Sequence, residues 1–285
     1  MSAEDDATST RGRVRSTEGT GKSPAFAFRT DVEGLRGLAT VLVLLYHAGI
    51  PLTGGGYVGL DVFFVISGFL ITGLLLKEFD GTGRIALGRF YIRRIRRLLP
   101  SIVVVLAAIV VMGWLFMTPL ARDRLAGDVL SANFYYSNWR FASQEGDYLT
   151  RGLDASPVQH FWSLSVEEQF YVLWPILLLG AGWLAARRAW GPRAGIGVVV
   201  LLMGVILFLH SVDRTAVEAG PAYFSTFARG WEFAVGAAVA LIPAGRLNLP
   251  RGVAAALVWA GLGVLAWCTI TYDTETAFPG PAALL

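Results

Sequence analysis

The chain has 285 residues, of which 54% are hydrophobic and 16% charged, and its formal net charge at pH 7 is +3. Soluble globular domains carry about 25% charged residues, so this composition excludes an ordinary soluble enzyme, and the small net charge disfavours a nucleic-acid-binding protein. The single cysteine, Cys268, excludes an intramolecular disulfide and a multi-cysteine metal site.

The first segment, residues 1–28, is rich in Ser, Thr, Gly and charged residues and has no apolar period. Such a segment cannot bury enough apolar surface to offset its chain entropy, so we predict that it is disordered and cytoplasmic. It carries no signal-peptide pattern, so the first apolar helix is expected to remain as a membrane anchor.

Seven apolar segments follow, and each predicts a transmembrane helix because hydrocarbon offers backbone amides no hydrogen-bond partner. The sequence therefore predicts an all-α, polytopic transmembrane helix bundle. The chain ends at "FPGPAALL", where another helix is expected to begin, so the bundle is expected to be C-terminally incomplete. The predicted spans are Leu35–Leu52, Val58–Leu76, Leu98–Met117, Phe161–Ala185, Gly195–Leu209, Phe224–Ile242 and Gly252–Ile270.

Arginine and lysine are concentrated before the first span and in alternate connections after it, most densely between Lys77 and Arg97. Short loops rich in these residues stay in the cytoplasm. The amino terminus is therefore predicted to be cytoplasmic, in a bacterial-type plasma membrane.

Ionisable residues within the spans are costly in lipid and suggest function. With the predicted orientation, His47 and Asp61 fall in the outer half of the membrane, whereas Arg36 lies roughly 16 Å below His47 at 1.5 Å per residue. Four further ionisable residues are placed in the same outer half, namely Glu167, Glu168, Arg229 and Glu232.

Each of these residues also has a structural interpretation. His47 can be an interfacial, hydrogen-bonded side chain, Asp61 can stabilise the start of its helix, and Ser67 can simply permit close helix packing.

Glu168 can pair with Arg229 or Arg36, because charges within membranes tend to pair. His160 and His210 fall at the edges of spans, and we interpret both as interfacial residues.

The run "GRFYIRRIRRLLP" places Arg89, Arg93 and Arg97 four residues apart, and Arg93 and Arg96 three apart. On a helix these arginines form one or two adjacent basic faces. Positive residues beside a span serve as topological signals and attract anionic headgroups. Guanidinium groups also suit phosphate, so a soluble, multiply phosphorylated ligand is the second interpretation.

Several segments together resemble the acyltransferase 3 family of integral membrane acyltransferases, which includes the O-antigen acetylases. They span residues 29–241, and a domain covering 29–285 is expected. The segments are "RTDVEGLRGLATVLVLLYHAG", "GGYVGLDVFFVISGFLITGLLLKE", "FYIRRIRRLLP", "ANFYYSNW", "HFWSLSVEEQFYVLWPILL" and "ARGWEFAVGAAVAL".

The resemblance implies an enzyme that moves an acyl group, usually acetyl, from cytoplasmic acyl-CoA to a hydroxyl of a surface glycan or similar acceptor. Lipopolysaccharide, peptidoglycan, exopolysaccharide and glycosylated small molecules are all open as acceptors. Acyl-CoA is then a co-substrate, with no tightly bound cofactor and no metal. By motif, Arg36 and His47 correspond to the family's arginine and histidine of the first span. The arginines of the "RRIRR" run correspond to its Arg-x-x-Arg element, and Glu167 with Glu168 to its "SVEEQFY" acids.

Acyl transfer to a hydroxyl needs a base with a pKa near neutrality, and imidazole is the common choice. His47 is the candidate base, with Asp61 or Glu168 orienting its ring. An arginine or Trp162 could stabilise the oxyanion. Direct transfer is favoured over a covalent intermediate on Ser67, and a common tunnel is expected to join the arginines to His47.

The predicted site therefore has three groups. The catalytic candidates are His47, Asp61, Glu167 and Glu168; the acyl-CoA candidates are Arg36, Arg93, Arg94, Arg96 and Arg97; and the substrate-binding candidates are Ser67, Trp162, Arg229 and Glu232.

A transporter or flippase of a polar or glycan substrate is the main alternative, since buried charges also describe a transport path. It predicts internal repeats, and none is convincing in the sequence. Seven spans also suit a receptor, which the basic run and the carboxylates within spans do little to support.

Overall fold

The computed structural model describes residues 29–146, 155–188, 191–243, 246 and 248–285, and this part of the chain contains helices and no β-strand. The predicted all-α fold is confirmed, while the predicted disordered segment 1–28 lies outside the described residues. The helices are α1 (Thr30–His47), α2 (Gly59–Thr82), α3 (Leu87–Phe116), α4 (Pro119–Asn133), α5 (Ser137–Gly146), α6 (Phe161–Arg187), α7 (Pro192–Val217), α8 (Ala219–Phe224), α9 (Thr226–Leu241) and α10 (Arg251–Thr271).

Five helical segments are long and apolar enough to cross a membrane, so the predicted count of seven is not confirmed. The first predicted span forms α1, which is not among the five segments. Its first two turns hold the charged residues Asp31, Glu33 and Arg36. The sixth forms α9, which has 16 residues and extends about 24 Å at 1.5 Å per residue, less than a typical hydrocarbon core. The five segments are Gly56–Thr82, Leu87–Phe116, Phe161–Ala185, Pro192–Val217 and Arg251–Thr271.

Helix α9 packs between α2 and α7. Two glycines permit the approach of α2 to α9. A Cβ on Gly68 would collide with the carbonyl oxygen of Phe233, and a Cβ on Gly236 would collide with that of Val65. Small residues allow such close backbone contact in membrane bundles, so the two glycines fix the distance between these helices.

A column of stacked aromatic rings fills the centre of the bundle. Phe64 of α2 stacks on Phe233 of α9 with centroids 4.8 Å apart, and Phe233 stacks on Phe170 of α6 at 4.2 Å. Phe170 in turn stacks on Trp174 at 4.7 Å, and the Trp174 indole donates to Thr72 Oγ1 at 2.7 Å. Offset stacking adds to the area that aromatic side chains bury, so this column ties three helices together.

The helices at the periphery expose apolar surface, as expected for a multi-pass membrane protein. Trp114 on α3 is 66% exposed and Trp259 on α10 is 73% exposed. In a soluble protein such surfaces would drive aggregation, whereas here hydrocarbon covers them.

The segment after α10 folds back onto the bundle. The amide of Gly280 donates to Thr215 Oγ1 at 3.1 Å, and the ring of Phe278 lies 5.0 Å from that of Tyr57. The helix expected to begin here is a single 3₁₀ turn, Pro281–Leu284. This return places Phe278 beside the site described next.

Candidate functional site

Two cavities lie along α2, and they share no lining residue. The first, which we call the arginine cavity, has a volume of about 380 Å³, within the range of small-molecule sites. Its polar lining residues are Arg36, Ser67, Arg93, Arg94, Arg97, Glu167, Glu168 and Tyr171.

The second, which we call the histidine cavity, has a volume of about 790 Å³. It lies on the side of α2 where that helix begins, and its walls combine imidazoles with aromatic rings. The side chains used below are Tyr46, His47, Tyr57, His160, Trp162, Tyr223 and Phe278.

An ordered network fixes one wall of the arginine cavity. Arg94 Nη2 lies 2.6 Å from Glu168 Oε1, and the Arg94 guanidinium stacks 3.4 Å from the centroid of the Tyr171 ring. The hydroxyls of Ser67 and Tyr171 both donate to Glu167. Both carboxylates are therefore held by specific donors, which holds the wall in one arrangement.

Other arginines of this cavity have no such partner. Among the described residues, Arg93 and Arg97 make no ion pair. Arg36 approaches Glu33 at 3.3 Å, in a pair whose side chains remain 34% and 46% exposed. Surface pairs of this kind contribute little, so these guanidinium groups remain available to an anionic ligand.

The structure corrects two expectations about the basic run. Arg93, Arg94 and Arg97 belong to the first turns of α3, which begins at Leu87, rather than to a loop before a span at Leu98. They occupy an arc of about 100° on the helix. Arg96 does not line the cavity, because it falls outside that arc.

Glu167 and Glu168 were expected in the outer half of the membrane with His47, and Glu168 was one of two candidates to orient the His47 ring, but neither lines the histidine cavity. Both line the arginine cavity, one turn along α6 from Ser163, which lines the histidine cavity. Glu168 pairs with Arg94, rather than with Arg229 or Arg36. It therefore does not orient the imidazole of His47.

His47 lines the histidine cavity, and its geometry determines its tautomer. Its Nδ1 lies 2.8 Å from the carbonyl oxygen of Val43, one turn earlier in α1. A carbonyl can only accept, so Nδ1 must carry the hydrogen, and the neutral ring keeps a free lone pair on Nε2. An imidazole in this state can accept a proton through Nε2.

His160 lines the same cavity, although its sequence position suggested only an interfacial role. Its ring packs against Phe161 with centroids 4.7 Å apart. Partial burial, and to a smaller extent the nearby charge of His47, lower the pKa of His160 below its usual 6.5. The cavity therefore holds a second imidazole that favours the neutral form.

Asp61, Arg229 and Glu232 form a buried cluster, which we call the Arg229 cluster. Arg229 Nη1 lies 3.0 Å from Asp61 Oδ1 and 3.2 Å from Glu232 Oε1. Asp61 lies in the first turn of α2, where the helix dipole favours an acidic side chain. Arg229 rather than His47 faces its carboxylate, so Asp61 does not orient the imidazole.

A packed layer separates the two cavities. The buried rings of Phe64 and Trp162 lie 6.1 Å apart, and both face the guanidinium of Arg229, at 5.4 and 5.8 Å. The expected common tunnel is therefore absent from the part of the chain that the structure describes. On α2, Leu60 lines the histidine cavity and Ile66 lines the arginine cavity, and the two residues are about 9 Å apart along the helix. The distance between the two cavities is therefore short.

Several residues of the two cavities were missed by the sequence interpretation. Tyr171 follows Glu167 by four residues on one helix, so helical spacing could have identified it. Tyr223 and Phe278 reach the histidine cavity from distant segments, and no local pattern signals that approach. In the described ranges, no group of three or more His, Cys, Asp or Glu side chains is placed to hold a metal ion.

The fold and its cavities define a multi-pass helical membrane protein with a cationic cavity and an imidazole-bearing cavity on the same helices. Comparison with known proteins gives the family. The acyltransferase domain family matches residues 29–285, and the chain belongs to it. No solved structure matches the chain.

Relatives of the chain include the peptidoglycan O-acetyltransferase OatA of Listeria monocytogenes, 34% identical over 240 residues that cover 81% of this chain and 37% of OatA. A Staphylococcus aureus protein provisionally named an O-acetyltransferase is 35% identical over 216 residues, 76% of this chain and 35% of the relative. YrhL of Bacillus subtilis, provisionally named a peptidoglycan O-acetyltransferase, is 34% identical over 77% of this chain and 34% of its own. The chain thus spans little more than a third of the length of these relatives.

Proposed function

We propose that this bundle is the membrane-embedded part of an O-acyltransferase. It takes an acyl group, usually acetyl, from acyl-CoA at the arginine cavity and delivers it to a glycan hydroxyl at the histidine cavity. The observation that carries this proposal is the arrangement of the two cavities, with free guanidinium groups in one and an imidazole with a free Nε2 in the other.

The arginine cavity suits the donor. Arg93 and Arg97 have no ion pair among the described residues, and the exposed Arg36 is bound weakly. Guanidinium groups bind phosphate oxygens through paired, charge-assisted hydrogen bonds. The phosphates of acyl-CoA would bind here, which directs the thioester towards Ser67 and Ile66 on α2.

His47 supplies the base in the histidine cavity. Its Nε2 takes the proton of the acceptor hydroxyl as the oxygen attacks the thioester carbonyl carbon. A C–O bond forms, the C–S bond breaks, and CoA leaves as a thiolate that takes the proton from the His47 imidazolium, which gives the thiol and restores the neutral base. Trp162 lines this cavity, where its indole N–H can donate to the developing oxyanion.

The layer of Phe64 and Trp162 must open for the thioester to reach the acceptor. Trp162 is the side chain of this layer that also lines the histidine cavity. A change of its rotamer would connect the two cavities without moving a helix. We therefore propose that donor binding and the opening of this layer are separate steps.

The names of the relatives and the distribution of charge support our proposals for the acceptor and the membrane. Two relatives are named peptidoglycan O-acetyltransferases, so peptidoglycan is the first acceptor to test. The basic residues that begin α3 favour a cytoplasmic arginine cavity, which puts the amino terminus inside and the histidine cavity outside, in a bacterial plasma membrane.

The test uses the 285-residue chain in lipid vesicles, with acetyl-labelled acetyl-CoA on one side and soluble peptidoglycan fragments on the other. We expect release of CoA together with label on the glycan. Movement of the glycan across the membrane without release of CoA would favour a transporter. If acetyl-CoA is not consumed, whichever side of the vesicle it is supplied on, the proposal is contradicted.

A further inference from the structure

The Arg229 cluster is the most deeply buried charged group among the described residues. The side chain of Arg229 is 0% exposed, that of Glu232 is 1% exposed and that of Asp61 is 14% exposed. Four aromatic rings surround the guanidinium, with centroids 5.1 to 5.8 Å from its central carbon; they belong to Phe64, Trp162, Tyr223 and Phe278. Water is therefore largely excluded from all three groups.

The charges of the cluster do not balance if every group is ionised. A guanidinium keeps its proton in proteins, so Arg229 supplies one positive charge. Two ionised carboxylates would leave one uncompensated negative charge in an apolar, ring-lined site. In the described part of the chain, no other Lys, Arg or His lies within ion-pair distance of Asp61 or Glu232.

An uncompensated charge of this kind is costly, and the usual response of a protein is to neutralise it by binding a proton. Arg229 faces two acids, so it can balance one of them only. The free energy of the folded protein is therefore much lower when the second acid is protonated and neutral than when it is a second carboxylate.

The hydrogen-bond geometry gives a second, independent indication. Both carboxylate oxygens of Asp61, both of Glu232 and all three guanidinium nitrogens of Arg229 are buried without a hydrogen-bond partner among the described residues. The two ion pairs bring charges together but are not aligned as hydrogen bonds. A proton on one carboxyl would supply a donor that the other carboxylate can accept.

We propose that Asp61 and Glu232 bind one proton between them, which makes the Arg229 cluster a neutral proton-binding site. Glu232 carries the proton, since it is the less exposed acid and the farther from Arg229. Asp61 remains the ionised partner of Arg229 and accepts the hydrogen bond from Glu232.

This site adjoins the histidine cavity. Asp61 follows Leu60, which lines that cavity, and three of the rings that surround Arg229 line it as well. The protonation state is a property of the folded bundle, so it goes beyond the proposed acyl transfer and does not depend on it.

Infrared difference spectroscopy of the chain in lipid, in H₂O and in D₂O, tests the proposal. A protonated carboxyl gives a carbonyl stretch that shifts in D₂O and that a carboxylate lacks. We expect this band in the wild-type protein and its loss in Glu232→Gln. It should also be lost in Asp61→Asn, because Glu232 then becomes the single acid facing Arg229 and ionises.

Asp128→Asn is the matched control. Asp128 is buried, but Arg140 at 2.6 Å balances its charge one to one, so the band should remain in this variant. If Glu232→Gln does not fold, as judged by its circular dichroism, Asp61→Asn decides alone. A wild-type spectrum without the band, or a band that persists in either folded variant of the cluster, would overturn the proposal.

None of these spectra depends on acetyl-CoA or on an acceptor. Failure here would therefore leave the proposed acyl transfer standing, and absence of acyl transfer would leave the proton-binding site standing.

Discussion

The two cavities lie on the same helices but hold their polar groups by different means. In the arginine cavity, contacts between residues far apart in sequence, such as Arg94 with Glu168 and Ser67 with Glu167, fix the polar groups. In the histidine cavity, a bond within one helix turn, from His47 to Val43, fixes the base. A local bond sets a tautomer, whereas a long-range network sets the position of charges from separate helices. Variants of the two cavities should therefore fail in different ways.

The largest effect is expected for His47→Ala, which removes the proposed base. Acetyl transfer should fall by about 10²- to 10⁴-fold, the range for loss of general base catalysis, while the affinity for acetyl-CoA stays unchanged. Transfer assays and equilibrium donor binding, both in lipid vesicles, measure the two quantities. His210→Ala is the control, because His210 lines neither cavity. Full activity of His47→Ala would remove this residue from the mechanism.

Variants of the arginine cavity are expected to lose affinity for the donor instead. Arg93→Gln and Arg97→Gln should each weaken acetyl-CoA binding by about 10-fold or more, because each removes a charge-assisted hydrogen bond worth about 1.5–3 kcal/mol. Isothermal titration in detergent measures this affinity. Arg96→Gln is a matched control on the same helix, outside the cavity. Equal losses in all three variants would mean that the run acts through general positive charge.

A smaller effect is expected where the long-range network is cut. Ser67→Ala removes a donor to Glu167 and should reduce the free energy of unfolding by about 1 kcal/mol, with a modest loss of donor affinity. Thermal unfolding in one detergent measures this change. Ser143→Ala, which removes a bond within its own exposed helix turn, should be close to neutral. A larger loss from Ser143→Ala would contradict the importance given to the network.

The smallest effect is a pH dependence confined to the histidine cavity. The pKa of His160 is lowered from 6.5 by burial first and by the charge of His47 second. Below pH 6.5 the unfolded chain binds more protons than the folded one at this residue, so the free energy of unfolding should fall as pH falls through this value. Thermal unfolding between pH 7.5 and 5 (about one unit above and somewhat more than one unit below the usual histidine pKa) should show this slope. His160→Gln should flatten it, and an unchanged slope in that variant would assign it to other groups.

Hydropathy was sufficient to predict that the seven apolar segments are helical, because burial in lipid selects apolar segments whatever their neighbours, but it did not predict α4, α5 or α8. It was a poorer guide to the number of spans, since α9 has only 16 residues and α1 carries charged residues in its first turns. Candidate residues were recognised by type, and His47 and several arginines do line cavities. Their partners were less predictable.

Glu167 and Glu168 show why. Their position on α6 was correct, but α3 begins at Leu87 and brings its arginines into the bundle beside them. The depth of a residue in its own span therefore did not decide which cavity it faces. That depends on which neighbouring helix reaches it, and packing between helices leaves no local signal in one sequence.

The close contact between α2 and α9 determines how these two helices can move. At Gly68 and Gly236 the two backbones touch, and a few residues away Asp61 of one helix meets Arg229 of the other. If either helix shifted along its axis by one residue, the close contact at the two glycines would be lost, and Asp61 would at the same time move away from Arg229. We therefore expect α2 and α9 to move together as one rigid unit. A movement that opens the proposed acyl path is then expected in the opposite wall, at Trp162 of α6.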